Sequence, residues 1–159
     1  MKIRVGQGYD VHRFAEGRDL YLGCVKIDYA YGLLGHSDAD VLSHAIMDAL
    51  LGACGLRDIG YYFPDTDPRY EGISGTELLR ITAKIVRESG YEIENVDSTV
   101  ICQAPRLKDY IPLMKENVAL ALGIPAADVG IKATTEEGLG FTGRKEGIAA
   151  QAVCLVRTV

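Results

Sequence analysis

The spacing of apolar residues predicts a long helix over residues 38–54. Apolar side chains recur there at intervals of three and four, which is typical of a helix with one buried face. They are Leu42, Ala45, Ile46, Ala49, Leu50 and Ala53. We expect Ser37 or Asp38 to cap this helix, because such side chains accept hydrogen bonds from the first free amides. The helix should end before Gly55.

The remaining pattern predicts two more helices and five strands. Ser74 and Glu77 form a capping box, so a second helix should cover residues 74–89. A third should cover residues 110–122 and end at Gly123. Strands are predicted at residues 3–9, 20–27, 94–103, 129–134 and 148–157. Residues 57–72 are predicted as a long irregular loop, a feature that is often functional in a compact domain.

The order of these elements predicts the fold class. Strands and helices do not alternate regularly, which favours an α+β two-layer sandwich: a mixed β-sheet with helices on one face, forming a single domain over residues 1–159. The last strand is apolar on both sides, which indicates burial on both faces. We therefore expect an oligomer.

Composition excludes several classes of partner. A formal net charge of −5 argues against nucleic acid, whose binding depends on clustered Lys and Arg. No apolar run approaches the roughly 20 residues that cross a bilayer, and the N-terminal residues do not resemble a signal peptide. We therefore expect a cytoplasmic protein without a membrane partner. The four cysteines match no zinc-finger spacing and should be buried free thiols.

Three residues are candidate metal ligands. Asp10 and His12 lie two positions apart at a strand end, so their side chains point the same way, and His44 lies on the predicted helix. Two imidazoles and a carboxylate leave a fourth position open, the pattern of a catalytic zinc. Asp40 and Asp48 flank His44 at i−4 and i+4 and are candidates to orient its ring. The alternative is that Asp40, His44 and Asp48 form a solvated helix face.

Two polar segments beside the first helix are candidate substrate contacts. His36 and Ser37 precede the helix, where free amides and the helix dipole favour a phosphate; the alternative is a plain cap with a solvent-facing histidine. Residues 63–67 hold two carboxylates and a hydroxyl, which suit substrate hydroxyls. Ordinary turn chemistry explains that composition equally well.

Two further segments are candidate binding loops. Residues 132–144 combine threonines, glutamates, glycines and an arginine, which suits a diphosphate and a hard cation; the alternative is a turn with an exposed arginine. Residues 102–108 leave a strand and turn at Pro105, exposing main-chain groups able to read a base edge. A simple strand-to-helix connection is the alternative.

Taken together, these motifs resemble those of the 2-C-methyl-D-erythritol 2,4-cyclodiphosphate synthases. The matching segments, in the family's order between residues 3 and 157, are GYDVH (8–12), GHSDADV (35–41) with His44, DIG (58–60), FPDTD (63–67), QAP (103–105) and GFTGRKEG (140–147). The resemblance implies a phosphorus–oxygen lyase of the non-mevalonate pathway of isoprenoid biosynthesis. Its substrate is 4-diphosphocytidyl-2-C-methyl-D-erythritol 2-phosphate, and its products are the 2,4-cyclodiphosphate and CMP.

The resemblance also implies cofactors and an assembly. Asp10, His12 and His44 match zinc ligands, and Glu137 matches a residue beside a Mg²⁺ or Mn²⁺ ion bound with the substrate diphosphate. His36 and Thr135 match catalytic residues that stabilise the transition state. The family forms homotrimers, with active sites at subunit interfaces and a central cavity that takes isoprenoid diphosphates.

The implied substrate contacts fall into three groups. Those at the metal and the sugar are Asp10, His12, His36, Ser37, Asp58, Ile59, Gly60, Phe63, Pro64, Asp65, Thr66 and Asp67. Those at the cytidine of a neighbouring subunit are Cys102, Gln103, Ala104, Pro105, Arg106, Leu107, Lys108 and Thr134. Those at the phosphates are Thr135, Glu136, Glu137, Phe141 and Arg144. Where relatives often have three consecutive threonines, this chain has Thr134-Thr135-Glu136-Glu137, so Glu136 and Glu137 both remain candidates to neighbour the second metal.

Two other functions use the same residues. A metal-dependent phosphohydrolase would activate water and release a linear product. A trimeric binder of isoprenoid diphosphates would hold a structural metal and have no turnover.

Overall fold

A mixed five-stranded sheet forms the centre of the protein, whose computed structural model describes residues 1–159. The strands are β1 (Ile3–Ala15), β2 (Leu20–Leu22), β3 (Val25–Ile27), β4 (Gly32–Leu33), β5 (Tyr91–Ile101), β6 (Val129–Thr134) and β7 (Gly147–Thr158). The main sheet has the order β4-β1-β7-β5-β6, and β2 and β3 form a separate hairpin. Only β5 and β6 are parallel.

The helices pack against one face of this sheet, which confirms the predicted α+β class. They are α1 (Val41–Ala53), α2 (Ile59–Tyr62), α3 (Gly75–Glu88), α4 (Ile111–Leu122) and α5 (Gly140–Gly143), with 3₁₀ turns at Pro68–Tyr70, Lys108–Tyr110 and Ala126–Asp128. The first long helix lies on β1 and β7, α3 packs beside it, and α4 packs on α3 and β6. None of the helices is long and apolar enough to cross a bilayer.

Helix α1 packs unusually close to β1 because two glycines of that strand face it. A Cβ atom on Gly6 or Gly8 would overlap a main-chain carbonyl oxygen of α1, that of Ala49 or Ala45 respectively. The absence of side chains at Gly6 and Gly8 therefore sets the distance between β1 and α1. This distance brings His44 of α1 next to the following residues of β1.

The opposite face of the sheet is open and partly apolar. Val5, Tyr9, Val11 and Val153 on this face are each more than 40% exposed. The sequence predicted burial of the last strand on both faces. Within one chain, the helix-facing side of β7 is buried along most of its length, whereas the other side is buried only at Gly147 and Ala149 and is exposed at Gln151 and Val153.

Three local predictions about the N-terminal half were wrong. Strand β1 continues beyond residue 9 because it pairs with β7 as far as Arg13. Asp10 and His12 therefore lie inside the strand and not at its end. Residues 20–27 form a hairpin because Gly23 and Cys24 both have positive φ. The cap of α1 is Asp40, whose carboxylate accepts the Ser43 amide, and neither Ser37 nor Asp38 has that role.

The predicted irregular loop over residues 57–72 was also wrong in part. Asp58 caps α2 and Asp67 caps the 3₁₀ turn Pro68–Tyr70. Helices of three or four residues are too short to show a periodic pattern, so the sequence did not predict them. The other elements are confirmed to within a few residues, including the Ser74 cap of α3 and the left-handed Gly123 after α4.

Candidate metal centre and adjoining cleft

Asp10, His12 and His44 converge on one point between β1 and α1. The Oδ2 atom of Asp10 lies 2.9 Å from Nε2 of His12 and 3.1 Å from Nδ1 of His44. The two ring nitrogens are 3.2 Å apart. Three potential ligand atoms thus form a nearly equilateral triangle, and the predicted clustering is confirmed.

The outer nitrogen of each ring is held by another group. Nδ1 of His12 lies 2.8 Å from the carbonyl oxygen of Leu34, and a carbonyl can only accept. That nitrogen therefore carries the proton, and Nε2 of the neutral ring keeps its lone pair toward the triangle. Nε2 of His44 lies 3.2 Å from the hydroxyl of Ser37. Such outer contacts fix the orientation of metal-binding histidines.

Asp10 supplies a negative charge to the centre. Burial raises the pKa of the Asp10 carboxyl, but the hydrogen bonds and charges of His12 and His44 outweigh it and lower the pKa to about 2. Burial lowers the pKa of His12, but the hydrogen bond that the protonated ring donates to Asp10 and the charge of Asp10 outweigh burial and raise that pKa overall. The carboxylate is therefore ionised near neutral pH.

These three residues fit a tetrahedral zinc ion. Ligands bound at about 2.0–2.1 Å in tetrahedral geometry lie about 3.3 Å from one another, close to the observed triangle. Two imidazoles and one carboxylate are also a donor set that zinc accepts in catalytic sites. The geometry leaves one coordination position for another ligand.

Neither aspartate that flanks His44 on its helix orients the ring, contrary to the sequence expectation. The carboxylate of Asp40 accepts from the amides of Gly23, Cys24 and Ser43. Asp48 accepts from the amide of Ile59. Both carboxylates are committed to main-chain amides.

A cleft of about 410 Å³ opens beside the three ligands. Most of its lining agrees with the predicted substrate contacts: Asp10, His12, His36, Ser37, Ile59, Gly60, Phe63, Pro64 and Asp65. Asp58, Thr66 and Asp67 do not line it. Four further residues line the cleft and were not among the predicted contacts: Gly35, Met47, Tyr70 and Leu78. Met47 lies one turn after His44 and was detectable from helix spacing.

His36 lies in the cleft with one nitrogen engaged. Its Nε2 is 3.0 Å from the carbonyl oxygen of Asp67 and therefore donates a proton there. Its Nδ1 makes no protein hydrogen bond. The ring is thus held to the 3₁₀ turn that Asp67 caps.

The predicted base-reading and phosphate-binding loops meet each other at the carboxyl ends of β5 and β6. The Cys102 amide donates to the Thr134 carbonyl at 2.9 Å, and the Gly138 amide donates to the Gln103 side chain at 3.1 Å. The Thr135 hydroxyl accepts the Glu137 amide at 3.2 Å. Residues 102–108 and 134–144 therefore form one polar region, which we call the loop region.

Glu136 and Glu137 have different environments in the loop region. The carboxylate of Glu136 accepts the hydroxyl of buried Thr142, which ties it to its own loop. Glu137 has a positive φ of 56°, and its carboxylate makes no hydrogen bond within the chain. Glu137 is therefore the glutamate available to a ligand.

The loop region does not meet the metal centre within one chain. Val11, Ala149, Ile101 and Thr134 form one row across β1, β7, β5 and β6. Three strand spacings of about 4.8 Å place β6 roughly 14 Å from β1. No residue of the loop region lines the cleft. One chain therefore carries two separate halves of the predicted site.

The fold and the centre define an α+β protein in which three residues that could hold a metal ion lie beside a substrate-sized cleft. The model of the YgbB family matches residues 3–157, and the chain belongs to that family.

Relatives and solved structures agree with this assignment. The chain is 63% identical over 152 residues to the 2-C-methyl-D-erythritol 2,4-cyclodiphosphate synthase of Agathobacter rectalis, covering 96% of this chain and 86% of the relative. It is 56% identical over 154 residues to the synthase of the same name from Clostridium perfringens, covering 97% of this chain and 99% of the relative. The bifunctional IspDF from Campylobacter jejuni superimposes with a TM-score of 0.95 at 44% identity over 99% of this chain, which spans 43% of that protein. A CDP complex of Plasmodium falciparum IspF gives a TM-score of 0.85 at 35% identity, covering 98% and 96%.

Proposed function

We propose that this chain converts 4-diphosphocytidyl-2-C-methyl-D-erythritol 2-phosphate to 2-C-methyl-D-erythritol 2,4-cyclodiphosphate and CMP. The observation that carries the proposal is the open Asp10–His12–His44 centre beside the cleft, in a chain 63% identical to a protein named as that synthase. A family match over residues 3–157 supports one functional domain over residues 1–159. The proposed substrate is a charged nucleotide compound and an intermediate of biosynthesis. We therefore propose that the reaction takes place in the cytoplasm.

The reaction exchanges one phosphorus–oxygen bond for another. An oxygen of the 2-phosphate attacks the β-phosphorus, that bond forms, and the bond from the β-phosphorus to the CMP oxygen breaks. The nucleophile and the leaving group are both phosphate oxygens, so no side chain has to remove a proton. The protein's contribution is positioning and charge neutralisation.

Asp10, His12 and His44 are the residues that would hold zinc, which supplies Lewis acidity toward phosphoryl oxygens when bound. The Leu34 carbonyl and the Ser37 hydroxyl keep the two rings turned with their inner nitrogens toward the centre. In the loop region, Glu137 would neighbour a Mg²⁺ or Mn²⁺ ion bound with the diphosphate, because Glu136 is committed to Thr142.

His36 and Thr135 are proposed to donate hydrogen bonds to phosphoryl oxygens in the transition state. The Nε2 proton of His36 is already used by the Asp67 carbonyl. Donation from Nδ1 therefore requires the imidazolium form. The main-chain carbonyl of Asp67 thereby orients the ring of His36, while the Asp67 side chain caps the 3₁₀ turn Pro68–Tyr70.

We further propose a homotrimer in which the loop region of one subunit meets the cleft of the next. The support is the separation of the two halves in one chain and the open apolar sheet face. Residues 102–108 and Thr134 would then bind cytidine, while Phe141 and Arg144 complete the phosphate-binding surface. The central cavity of the trimer would take an isoprenoid diphosphate.

Phosphorus NMR of the protein with substrate, zinc and magnesium tests the proposed reaction. We expect signals of CMP and of a cyclic diphosphate, and none from His44→Ala. CMP with a linear phosphate product would indicate the phosphohydrolase, in which the same centre activates water. Intact zinc binding without turnover would indicate a binding protein instead.

A further inference from the structure

Arg18 holds both ends of the segment that orients the metal ligands. Its Nε donates to the carbonyl oxygen of Leu33 at 2.6 Å, and its Nη2 donates to that of Ser37 at 2.9 Å. The side chain is half-buried. Residues 33–37, which we call the orienting loop, are thus bridged at their two ends by one guanidinium group.

The orienting loop contacts both histidine ligands. Leu34 supplies the carbonyl that accepts from His12, and Ser37 supplies the hydroxyl beside His44. Between them, Gly35 lies against the His12 ring: a Cβ there would come within 3.0 Å of Cε1. Any change in the spacing between Leu33 and Ser37 therefore changes the orientation of both rings.

The chemistry of arginine suits this bridge. The guanidinium is planar, permanently charged and carries several N–H donors in a fixed arrangement, so it sets the relative positions of two carbonyls. Charged donors also make stronger hydrogen bonds than neutral ones. The main chain of Arg18 adds to the restraint, because a Cβ on Gly32 would meet the Arg18 carbonyl oxygen at 2.5 Å.

We infer that Arg18 is a positioning residue for the metal centre: it fixes the orienting loop and thereby the direction of both histidine rings. It touches neither the metal ligands nor the cleft beside them. The inference rests on the proposed metal centre and adds a determinant of its affinity. Lysine, with a single charged nitrogen on a flexible stem, does not reproduce the two-carbonyl geometry.

Zinc affinity of the intact protein, measured by competition with a chromophoric chelator, tests this role. Loss of a group that hydrogen-bonds a ligand directly typically weakens metal binding about 10- to 100-fold. Arg18 acts one step further out, so we expect a loss of about 10-fold, the lower end of that range, in Arg18→Met and a smaller one in Arg18→Lys. The matched control is Arg80→Met, because Arg80 on α3 pairs only with Glu77, and its zinc affinity should equal that of the parent.

A second readout is the visible spectrum of the Co²⁺-substituted protein, since d–d absorption depends on ligand geometry. We expect Arg18→Met to change it and Arg80→Met to leave it unchanged. Unchanged zinc affinity and spectrum in folded Arg18→Met, with only a lower melting temperature or a higher KM, would overturn the inference. If Arg18→Met does not fold, parental affinity in Arg18→Lys overturns it. Failure of the parent itself to bind zinc would instead refute the proposed metal centre.

Discussion

Substitution of Gly8 by alanine should separate α1 from β1 and thereby disrupt the metal centre. The added Cβ would overlap the Ala45 carbonyl oxygen and lie 2.7 Å from the Ala49 amide nitrogen. Both atoms belong to helix main chain, which cannot rotate away as a side chain can. The helix itself must move.

The structure gives the size of that movement. Ordinary van der Waals contact begins at 3.4 Å, so the Ala49 contact alone requires a shift of about 0.7 Å, and the Ala45 overlap requires more. Metal–ligand distances tolerate only about 0.2 Å. We therefore expect Gly8→Ala to lose about 100-fold in turnover, the scale associated with a misplacement of about 1 Å. Overpacking should also lower the free energy of unfolding by about 1–3 kcal/mol.

Gly52→Ala is the matched control on the same helix. Gly52 is exposed, and its Cβ would meet only the Gln7 carbonyl oxygen at 3.9 Å. Because alanine favours the helix, this variant should gain about 0.5–1 kcal/mol. Urea unfolding at one protein concentration, in the presence of a chelator, gives the stability of each variant. Zinc affinity is measured separately on the same variants. Parental stability and zinc affinity in Gly8→Ala would refute the reasoning that β1 glycines set the helix distance.

Four further substitutions test individual roles. His44→Ala should abolish turnover and zinc retention together, as measured by metal analysis and NMR; full activity in a metal-free variant would disprove the Lewis-acid role. Thr135→Ala should lower kcat by about 100-fold, as for other lost transition-state donors, with a modest loss of CMP affinity by calorimetry; a collapse of CMP binding would make it a pocket residue instead. Glu137→Gln should raise the Mg²⁺ concentration needed for half-maximal rate, whereas Glu136→Gln should not, because its carboxylate is bound to Thr142; equal shifts in both would contradict the assignment.

Local periodicity explains which parts of the site were predictable. Asp10 and His12 share a face of β1 because side chains alternate in any strand, and His44 lies on a helix whose apolar spacing is regular. The Ser74 cap and the left-handed Gly123 also depend only on neighbouring residues. Each of these features could be predicted from a few consecutive positions.

The remainder depends on contacts between segments that are distant in sequence. The orientation of His12 is set by a carbonyl of Leu34, and a main-chain group carries no signal in the sequence. The carboxylate of Asp40 caps α1, and it is held in place by two further amides that the hairpin of β2 and β3 brings to it. The roughly 14 Å between β1 and β6 follows from the insertion of β7 and β5 between them, an order that local patterns do not reveal.

The separation of the two halves of the site has a genetic consequence under the proposed assembly. A subunit that lacks His44 keeps an intact loop region, and a subunit that lacks Thr135 keeps an intact cleft. Where two such defective alleles are expressed together, a mixed trimer pairs the good half of one product with the good half of the other. Alleles that inactivate one half of the site should therefore sort into two complementing groups, divided by whether they damage the metal centre or the loop region.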